Sequence, residues 1–166
     1  MQLDATDLQL LQLLQEDCSR SNQALAALLQ LSPPTCLRRV RRLQETGLIE
    51  RQVAILQPQR LAAALGHGLQ AIVEVSLDRQ DSDALDRFER RAVALDAVQQ
   101  CWRVSAGPDF ILVVAAPDMP AYLELSRALF TGDANVRNVK SFFSVKRAKF
   151  STAMPLPSAN PGTAAE

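Results

Sequence analysis

The hydrophobic pattern of the chain changes character between its first and second halves, and this change limits the folds open to it. Up to about residue 47 the apolar residues recur at the three-to-four-residue spacing of amphipathic helices. Beyond about residue 68, apolar strands alternate with helices. A length of 166 residues allows one large domain or two small ones. The two patterns therefore predict two small domains of different class.

The first part of the chain predicts three helices. Asp4 can cap the first, with Asp7 as an acid in its first turn, where both suit the positive end of the helix dipole. Ser21 is placed to cap a short second helix. The Ser32–Pro33 pair predicts the start of a third, because a proline at the first helical position lacks an amide that has no helical partner there. This third helix is expected to end before Gly47.

From residue 68 to 150 the predicted order of elements is βαββαβ. The strands are expected at residues 71–77, 98–105, 110–116 and 136–145, and the helices at 81–95 and 117–129. This order is the ferredoxin-like split arrangement, so the fold class is α+β. Residues 51–67 are predicted to be an extended linker. Residues 151–166 are rich in Pro, Ser, Ala and Thr without periodicity, which predicts a disordered tail.

The predicted sheet has apolar residues on both of its faces. A ferredoxin-like unit covers only one face with its two helices. Residues 110–114 nonetheless read Phe-Ile-Leu-Val-Val, and Ile72 adds an apolar side chain opposite Ala71 and Val73. A single copy would leave this second face in water. Packing against the sheet of a second copy would bury it, which predicts a homodimer.

Composition and charge argue against several classes of function. The 18 basic and 18 acidic residues balance, so any basic surface must be local. The first residues do not resemble a signal peptide and no apolar run is long enough to span a bilayer, which predicts a cytoplasmic protein. The single histidine, His67, lies beside linker glycines, no cysteine has a nearby base in the sequence, and there is no phosphate-binding glycine loop. We therefore expect no enzyme, no cofactor and no metal site.

The predicted third helix carries a concentrated basic surface. Between Ser32 and Gln44 there are four arginines and no acid. With Leu37, Val40 and Leu43 expected to anchor the helix, the arginines lie on its outer side. A short basic helix that follows two others and a tight turn has the geometry to enter a DNA major groove. The candidate DNA-binding residues are Ser32, Pro34, Thr35, Arg38, Arg39, Arg41 and Arg42.

The alternative interpretation of this helix is a solvated basic face on an ordinary three-helix domain. Any single arginine fits that alternative. Four arginines within five positions on the third helix favour DNA.

The order and spacing of several segments resemble those of the Lrp/AsnC, or feast/famine, transcriptional regulators. The similarity is carried by Leu3–Asp17, Leu31–Leu43, Gly47–Ile49, Val104–Phe110 and Ala116–Tyr122. It extends from residue 3 to about residue 150. The sequence is most similar to the leucine-responsive branch of the family. Three further features resemble relatives associated with sulfur amino acids: Cys18, Trp102 and the ending from Thr152 to Leu156.

The resemblance implies a sequence-specific DNA-binding protein that dimerises and often assembles into octamers. Residues 1–50 would form the helix-turn-helix domain, and residues 68–150 the ligand-sensing and dimerisation domain. The effector, usually a free amino acid, would bind between neighbouring C-terminal domains. In the family this site uses the loop between the second and third strands, commonly with a Gly-acidic-x-Asp-aromatic sequence. Here that loop is Ala106–Phe110, in which Asp109 and Phe110 match the pattern.

The loop departs from the family pattern at its start. An alanine at position 106 would have to adopt a positive φ at a cost of about 1–2 kcal/mol, and Pro108 removes an amide donor. Either the glycine role has moved to Gly107, or the effector site is altered or lost. Asp109 either neutralises an ammonium group or is a turn aspartate that bonds backbone. The candidate effector-binding residues are Arg103, Ser105, Ala106, Gly107 and Asp109.

Two other functions compete with an effector-controlled DNA-binding regulator. A repressor that senses metals or thiols would use Cys18, Cys36 and Cys101, although these cysteines are not clustered in the sequence. An amino-acid-binding module without DNA activity is the second alternative. Salt-dependent binding to DNA distinguishes the regulator from that module.

Overall fold

A computed structural model describes residues 2–66 and 68–157, which form two compact units. The first unit contains residues 2–55 together with 149–157, and the second contains residues 56–66 and 68–148. Met1, His67 and residues 158–166, the greater part of the expected tail, lie outside the described residues. No helix in the described ranges has the length and apolar character needed to cross a bilayer.

The first unit contains three short helices, each of which begins at a side-chain cap. They are α1 (Ala5–Glu16), α2 (Asn22–Leu28) and α3 (Pro33–Glu45). The predicted caps are confirmed, since the carboxylate of Asp4 and the hydroxyls of Ser21 and Ser32 each accept a backbone N–H of the first turn. The cap of α1 is reciprocal, because the carboxylate of Asp7 also accepts the backbone N–H of Asp4 at 3.2 Å.

The rotation of α3 about its axis differs from the prediction. Its buried stripe is Cys36, Val40 and Leu43, whereas Leu37 is 39% exposed. The spacing of four and then three residues returns to nearly the same side of an α-helix, while steps of three drift by roughly 60° each. The expected anchor at Leu37 was therefore wrong. This rotation decides which arginines of α3 come within reach of the acidic side chains at the start of α1.

The described part of the second unit contains one four-stranded antiparallel sheet, in the order β2-β3-β1-β4. Its strands are β1 (Leu69–Leu77), β2 (Val98–Arg103), β3 (Phe110–Ala116) and β4 (Val136–Phe143). Helix α5 (Ser82–Val93) joins β1 to β2. Helix α6 (Met119–Ser126), continued by a π-helical turn (Arg127–Thr131), joins β3 to β4. The predicted βαββαβ order is confirmed.

One face of this sheet packs on the two helices to form the core. Side chains of β1 and β3 alternate between buried and less buried positions along each strand. The ring of Phe110 from β3 lies 4.8 Å from the ring of Phe88 from α5. Tyr122 of α6 contacts the ring of Phe143 at 5.0 Å, edge to face.

The opposite face of the sheet carries an apolar patch that we call the outer sheet face. In the strand register, Ile72 of β1 lies between Val113 of β3 and Phe142 of β4. Trp102 of β2 lies beside Ile111 of β3. Among the apolar side chains of this face, the most exposed are Ile72 at 49%, Trp102 at 58% and Phe142 at 53%. The predicted second apolar face is thus present on this chain.

The segment expected to be an extended linker, residues 51–67, contains helix α4 (Pro58–Leu65). The chain turns back from α4 into β1 at Gly68. A Cβ added to Gly68 would lie 2.8 Å from the Cβ of Ala62, closer than real Cβ contacts come. A glycine is therefore required where β1 passes α4.

Candidate nucleic-acid interface and effector loop

The four arginines of α3 divide into two pairs with different environments. Arg39 lies three residues after Cys36 and four before Leu43, which places it on the buried side of the helix, and its side chain is only 23% exposed. Arg42 lies one turn further on, and although its side chain is 44% exposed it also bonds Asp7. Arg38 and Arg41 are exposed and form no ion pair with any described residue. Of the four arginines that the sequence predicted to face outward, only Arg38 and Arg41 are thus exposed without an acidic partner among the described residues.

Arg39 and Arg42, which we call the inner pair, are held by carboxylates at the start of α1. Asp7 is buried, at 1% exposure, and its two oxygens accept hydrogen bonds from Nη1 of Arg39 at 2.8 Å and Nη2 of Arg42 at 2.5 Å. Nη1 of Arg39 also donates to Asp4 at 2.7 Å. The hydrogen bond from Arg39 lowers the pKa of the Asp4 carboxyl, and the same bond raises the pKa of Arg39. A buried carboxylate requires such partners, so this network fixes α3 against α1.

The outer pair forms the exposed side of α3 together with two apolar residues. Pro34, Arg38 and Arg41 follow one another at the four-then-three spacing that keeps them on one side of the helix, and the exposed Leu37 lies next to them. We call these four residues the reading face. A convex helical surface with two cations and two apolar side chains suits the phosphates and base edges of a major groove.

The two candidate hydroxyl residues at the start of α3 are engaged with each other. The Ser32 hydroxyl donates to the Thr35 hydroxyl at 2.8 Å and accepts the backbone N–H of Thr35 at 3.4 Å. The side-chain amide of Asn22 donates to the carbonyl of Pro33 at 2.8 Å, which ties the start of α2 to the start of α3. Ser32 and Thr35 therefore stabilise the helix start that positions the reading face.

Sequence reasoning missed the role of Asp7, which it took only as an acid in the first turn of α1. The signal was available in the spacing. Asp7, Leu10 and Leu14 lie at helical positions i, i+3 and i+7, so Asp7 falls on the buried stripe of α1. A carboxylate on a buried stripe predicts a cation from a neighbouring helix. The spacing did not indicate which arginines would supply that cation.

Substitution of Asp7 by alanine is expected to destabilise the first unit by about 3 kcal/mol, the low end for a broken buried ion pair because the arginines reach water. Hydrogen exchange of the α1 amides in the full chain measures this as a loss of protection. Glu16→Ala is the control, because Glu16 lies on the same helix but is 50% exposed and its ion pair with Arg20 spans 3.7 Å. Equal protection in both variants would contradict a structural role for Asp7.

The loop between β2 and β3 keeps a left-handed backbone despite its altered sequence. Ala106 has φ of 65° and Gly107 has φ of 102°. The glycine role has therefore not simply moved by one residue, because the alanine adopts the unfavourable conformation as well, at a cost of about 1–2 kcal/mol. Ser105, Ala106 and Gly107 are exposed, and Pro108 is half-buried. The tip of the loop thus remains accessible to a ligand.

Asp109 closes this loop onto the sheet. Its Oδ2 accepts the backbone N–H of Leu77 at 2.7 Å, and its own N–H donates to the carbonyl of Val75 at 2.9 Å. The carbonyl of Asp109 accepts the N–H of Val104 at 3.1 Å. The Asp109 carboxylate therefore bonds the backbone at the end of β1, a neighbouring strand, and not the backbone of its own loop.

Arg103, the candidate partner for an effector carboxylate, is engaged by two acids of α5. It donates through Nη2 to Asp86 at 2.7 Å and to Glu89 at 2.6 Å. Its guanidinium also lies 5.8 Å from the centre of the Phe110 ring. The hydrogen bond to Asp86 raises the pKa of Arg103. A ligand carboxylate at Arg103 would have to compete with these two acids.

The three cysteines lie in different environments. Cys18 is exposed, Cys36 is buried in the core of the first unit and Cys101 is half-buried on β2. Burial raises the thiol pKa of both Cys36 and Cys101, which disfavours the thiolate that metals and oxidants require. Within the described residues, no group of three or more His, Cys, Asp or Glu side chains is placed to hold a metal ion.

Two family models match separate parts of this chain. Residues 3–44 match the AsnC-type helix-turn-helix domain, which corresponds to α1, α2 and α3. Residues 70–154 match the Lrp/AsnC ligand binding domain, which corresponds to the sheet with its helices and to the segment that follows β4.

Full-length relatives and solved structures agree with these matches. The DNA-binding transcriptional activator DecR of Escherichia coli K12 is 32% identical over 93% of this chain and 99% of its own length. The leucine-responsive regulatory protein of Rhizobium meliloti is 34% identical over 90% and 93%. A transcriptional regulator of Neisseria meningitidis, solved as a complex with L-Met, superposes with a TM-score of 0.81 at 31% identity, covering 93% of this chain and 97% of its own. The chain therefore belongs to the Lrp/AsnC family of transcriptional regulators and is not an enzyme.

Proposed function

We propose that this regulator binds specific DNA sequences as a homodimer through the reading face of α3, and that a small effector, an amino acid, modulates its activity or assembly. The main support for the proposal is that two of the four arginines of α3 have acidic partners among the described residues and the other two do not. Arg38 and Arg41 are exposed on the side of α3 that faces away from the core, while Arg39 and Arg42 are held by Asp7. Because its target is DNA, the protein is proposed to act in the cytoplasm.

The outer sheet face supports the homodimer. Ile72, Trp102 and Phe142 expose about half of their surface, and Ile111 and Val113 join them into one apolar patch. At its edge, Glu74 and Lys140 lie opposite each other in the register and can form a polar rim. Sheet-to-sheet packing of two copies would remove this patch from water. Higher assembly, up to an octamer, would use other surfaces of such dimers.

Selection of sheared genomic DNA by the purified protein, followed by sequencing of the bound fraction, tests the DNA part of this proposal. A dimer with two reading faces should enrich inverted half-sites spaced by about one helical turn, roughly 34 Å, or a multiple of it. Binding should fall steeply with salt, because phosphate contacts release counterions. Absence of any enriched sequence at low salt would favour an amino-acid-binding module without DNA activity.

The proposed effector site is the loop from Ser105 to Asp109 with Arg103 beside it. A solved relative in complex with L-Met supports an amino acid as the class of ligand. Exposed backbone amides at the loop tip suit the carboxylate of an amino acid. The Asp109 carboxylate has a second oxygen besides the one bonded to Leu77, and this oxygen suits an ammonium group.

Asp109→Asn is expected to weaken amino-acid binding by roughly tenfold to a hundredfold, since a hydrogen bond to a charged group contributes about 1.5–3 kcal/mol. Asparagine keeps an oxygen that can accept the Leu77 amide, so the sheet should remain intact while the charge is lost. Calorimetry across the twenty amino acids, beginning with L-Met, measures the effect. Asp96→Asn, at an exposed aspartate before β2, is the control. Failure of the unaltered protein to bind any amino acid at millimolar concentration would contradict the proposed site.

A further inference from the structure

The first unit has an apolar groove on its surface that is closed by a distant part of the chain. The groove has a volume of about 450 Å³ and lies between α1 and α2. Four leucines and the end of the described chain line it: Leu8, Leu13, Leu28, Leu29, Leu156 and Pro157. Leu156 is half-buried, whereas the other described residues from 151 to 157 are exposed. The apolar side chain of Leu156 therefore lies against the helix-turn-helix unit, where it forms part of the wall of this groove.

A pair of hydrogen bonds holds the same segment next to this groove. The side-chain amide of Gln15 on α1 donates to the carbonyl of Met154 at 3.2 Å, and its oxygen accepts the Met154 N–H at 2.5 Å. A glutamine amide used in both directions mimics the partner that a neighbouring strand would offer. Gln15 and Met154 lie 139 residues apart in the sequence. Their contact therefore orders a segment whose composition alone predicts disorder.

We propose that residues 151–157 act as a C-terminal clasp, which binds the α1–α2 groove of its own chain and fastens the helix-turn-helix unit at a second point. The chain leaves this unit after residue 55 and returns to it at residue 149. The two units are therefore connected by two stretches of chain as long as the clasp is bound, and by one when it is released. Any change in the position of the helix-turn-helix unit must move both connections or open the clasp.

The groove leaves the reading face of α3 free, because the residues that line it belong to α1, α2 and the clasp. The clasp therefore does not block DNA. The clasp instead determines whether one or two stretches of chain connect the helix-turn-helix unit to the second unit. The clasp lies outside the proposed effector loop and does not require that loop to bind a ligand.

Hydrogen exchange on the full chain tests whether the clasp is bound in solution. In the unaltered protein the Met154 amide should exchange more slowly than that of a disordered peptide. Gln15→Ala should accelerate its exchange by roughly tenfold or more, because it removes both hydrogen bonds that Gln15 makes with Met154. Gln23→Ala, at an exposed glutamine of α2 outside the groove, is the matched control and should change nothing. Leu156→Asp should also release the segment without touching the core of the unit. A Met154 amide that exchanges freely, or is unaffected by both variants, overturns the proposal.

Cross-linking tests whether the clasp binds its own chain. Gln12 and Pro157 both line the groove, so a Gln12→Cys, Pro157→Cys variant in a Cys18→Ser background places two accessible thiols near each other. A short bis-maleimide should give an intramolecular product that migrates as a monomer. Each single-cysteine variant controls for reaction with the remaining thiols. A covalent dimer would mean that the groove takes the segment of a second copy, and absence of any cross-link would mean that the groove is empty. Either result overturns a clasp within one chain.

Discussion

Replacement of Arg38 and Arg41 together by alanine is expected to weaken binding to a cognate operator by about 10²- to 10⁴-fold, because each well-placed arginine–base contact contributes about 1–3 kcal/mol. Where these arginines contact phosphates, the slope of log affinity against log salt should fall by about 0.9 for each lost contact. Fluorescence anisotropy with a selected operator at several salt concentrations measures both quantities. Circular dichroism should remain unchanged, because neither side chain pairs with another described residue.

Two comparisons make this experiment specific to the reading face. Arg60→Ala removes an exposed arginine from α4 and should leave affinity and salt slope nearly unchanged. The double variant of Arg39 and Arg42 should instead lower the stability of the first unit, because it leaves the buried Asp7 without cations. Wild-type affinity and slope in the Arg38 and Arg41 variant would show that α3 is not the reading element.

Substitution of Ile72 by aspartate is expected to dissociate the proposed homodimer. Ile72 lies at the centre of the outer sheet face, between Val113 and Phe142, so each copy would bring an unpaired carboxylate into an apolar interface. At about 2 kcal/mol or more per copy, the dissociation constant should rise by about a thousandfold. Analytical ultracentrifugation over a concentration series measures this change.

Leu123→Asp is the matched control for Ile72→Asp. Leu123 is 46% exposed on α6, against 49% for Ile72, and it lies on the helical side of the sheet. The two variants introduce the same change at similar exposure, so only the face differs. A dimer that survives Ile72→Asp but dissociates with Leu123→Asp would move the interface from the sheet to the helices. A dimer that survives both would exclude the outer sheet face as the interface.

The order of elements in this protein followed from local patterns in its sequence. Capping residues and apolar periodicity depend on neighbours within a turn or two, so Asp4, Ser21 and Ser32 could be assigned as helix starts without a structure. The strands of the second unit were predictable for the same reason. The alternation of apolar side chains also predicted that both faces of the sheet carry apolar surface, which the exposure of Ile72 and Phe142 confirms.

The different environments of the four arginines of α3 depended on the tertiary structure. Four neighbouring arginines carry the same local signal. Only the rotation of α3 on Cys36, Val40 and Leu43 brings two of them to the carboxylates at the start of α1 and leaves the other two without an acidic partner among the described residues. The contacts of Arg103 with Asp86 and Glu89 likewise depend on where α5 crosses the sheet.

The C-terminal segment shows the same distinction most clearly. Residues 151–166 have a composition that predicts disorder, because a short polar segment cannot bury enough apolar surface by itself. A single leucine, Leu156, and the backbone of Met154 are nevertheless bound by a groove and a glutamine that lie more than a hundred residues earlier in the chain. Sequence patterns thus determined the elements and their caps, because those depend on neighbouring residues. Long-range packing decided which charged and apolar side chains are exposed at the surfaces that we propose for DNA, for an effector and for the clasp, because those contacts join residues that no local pattern relates.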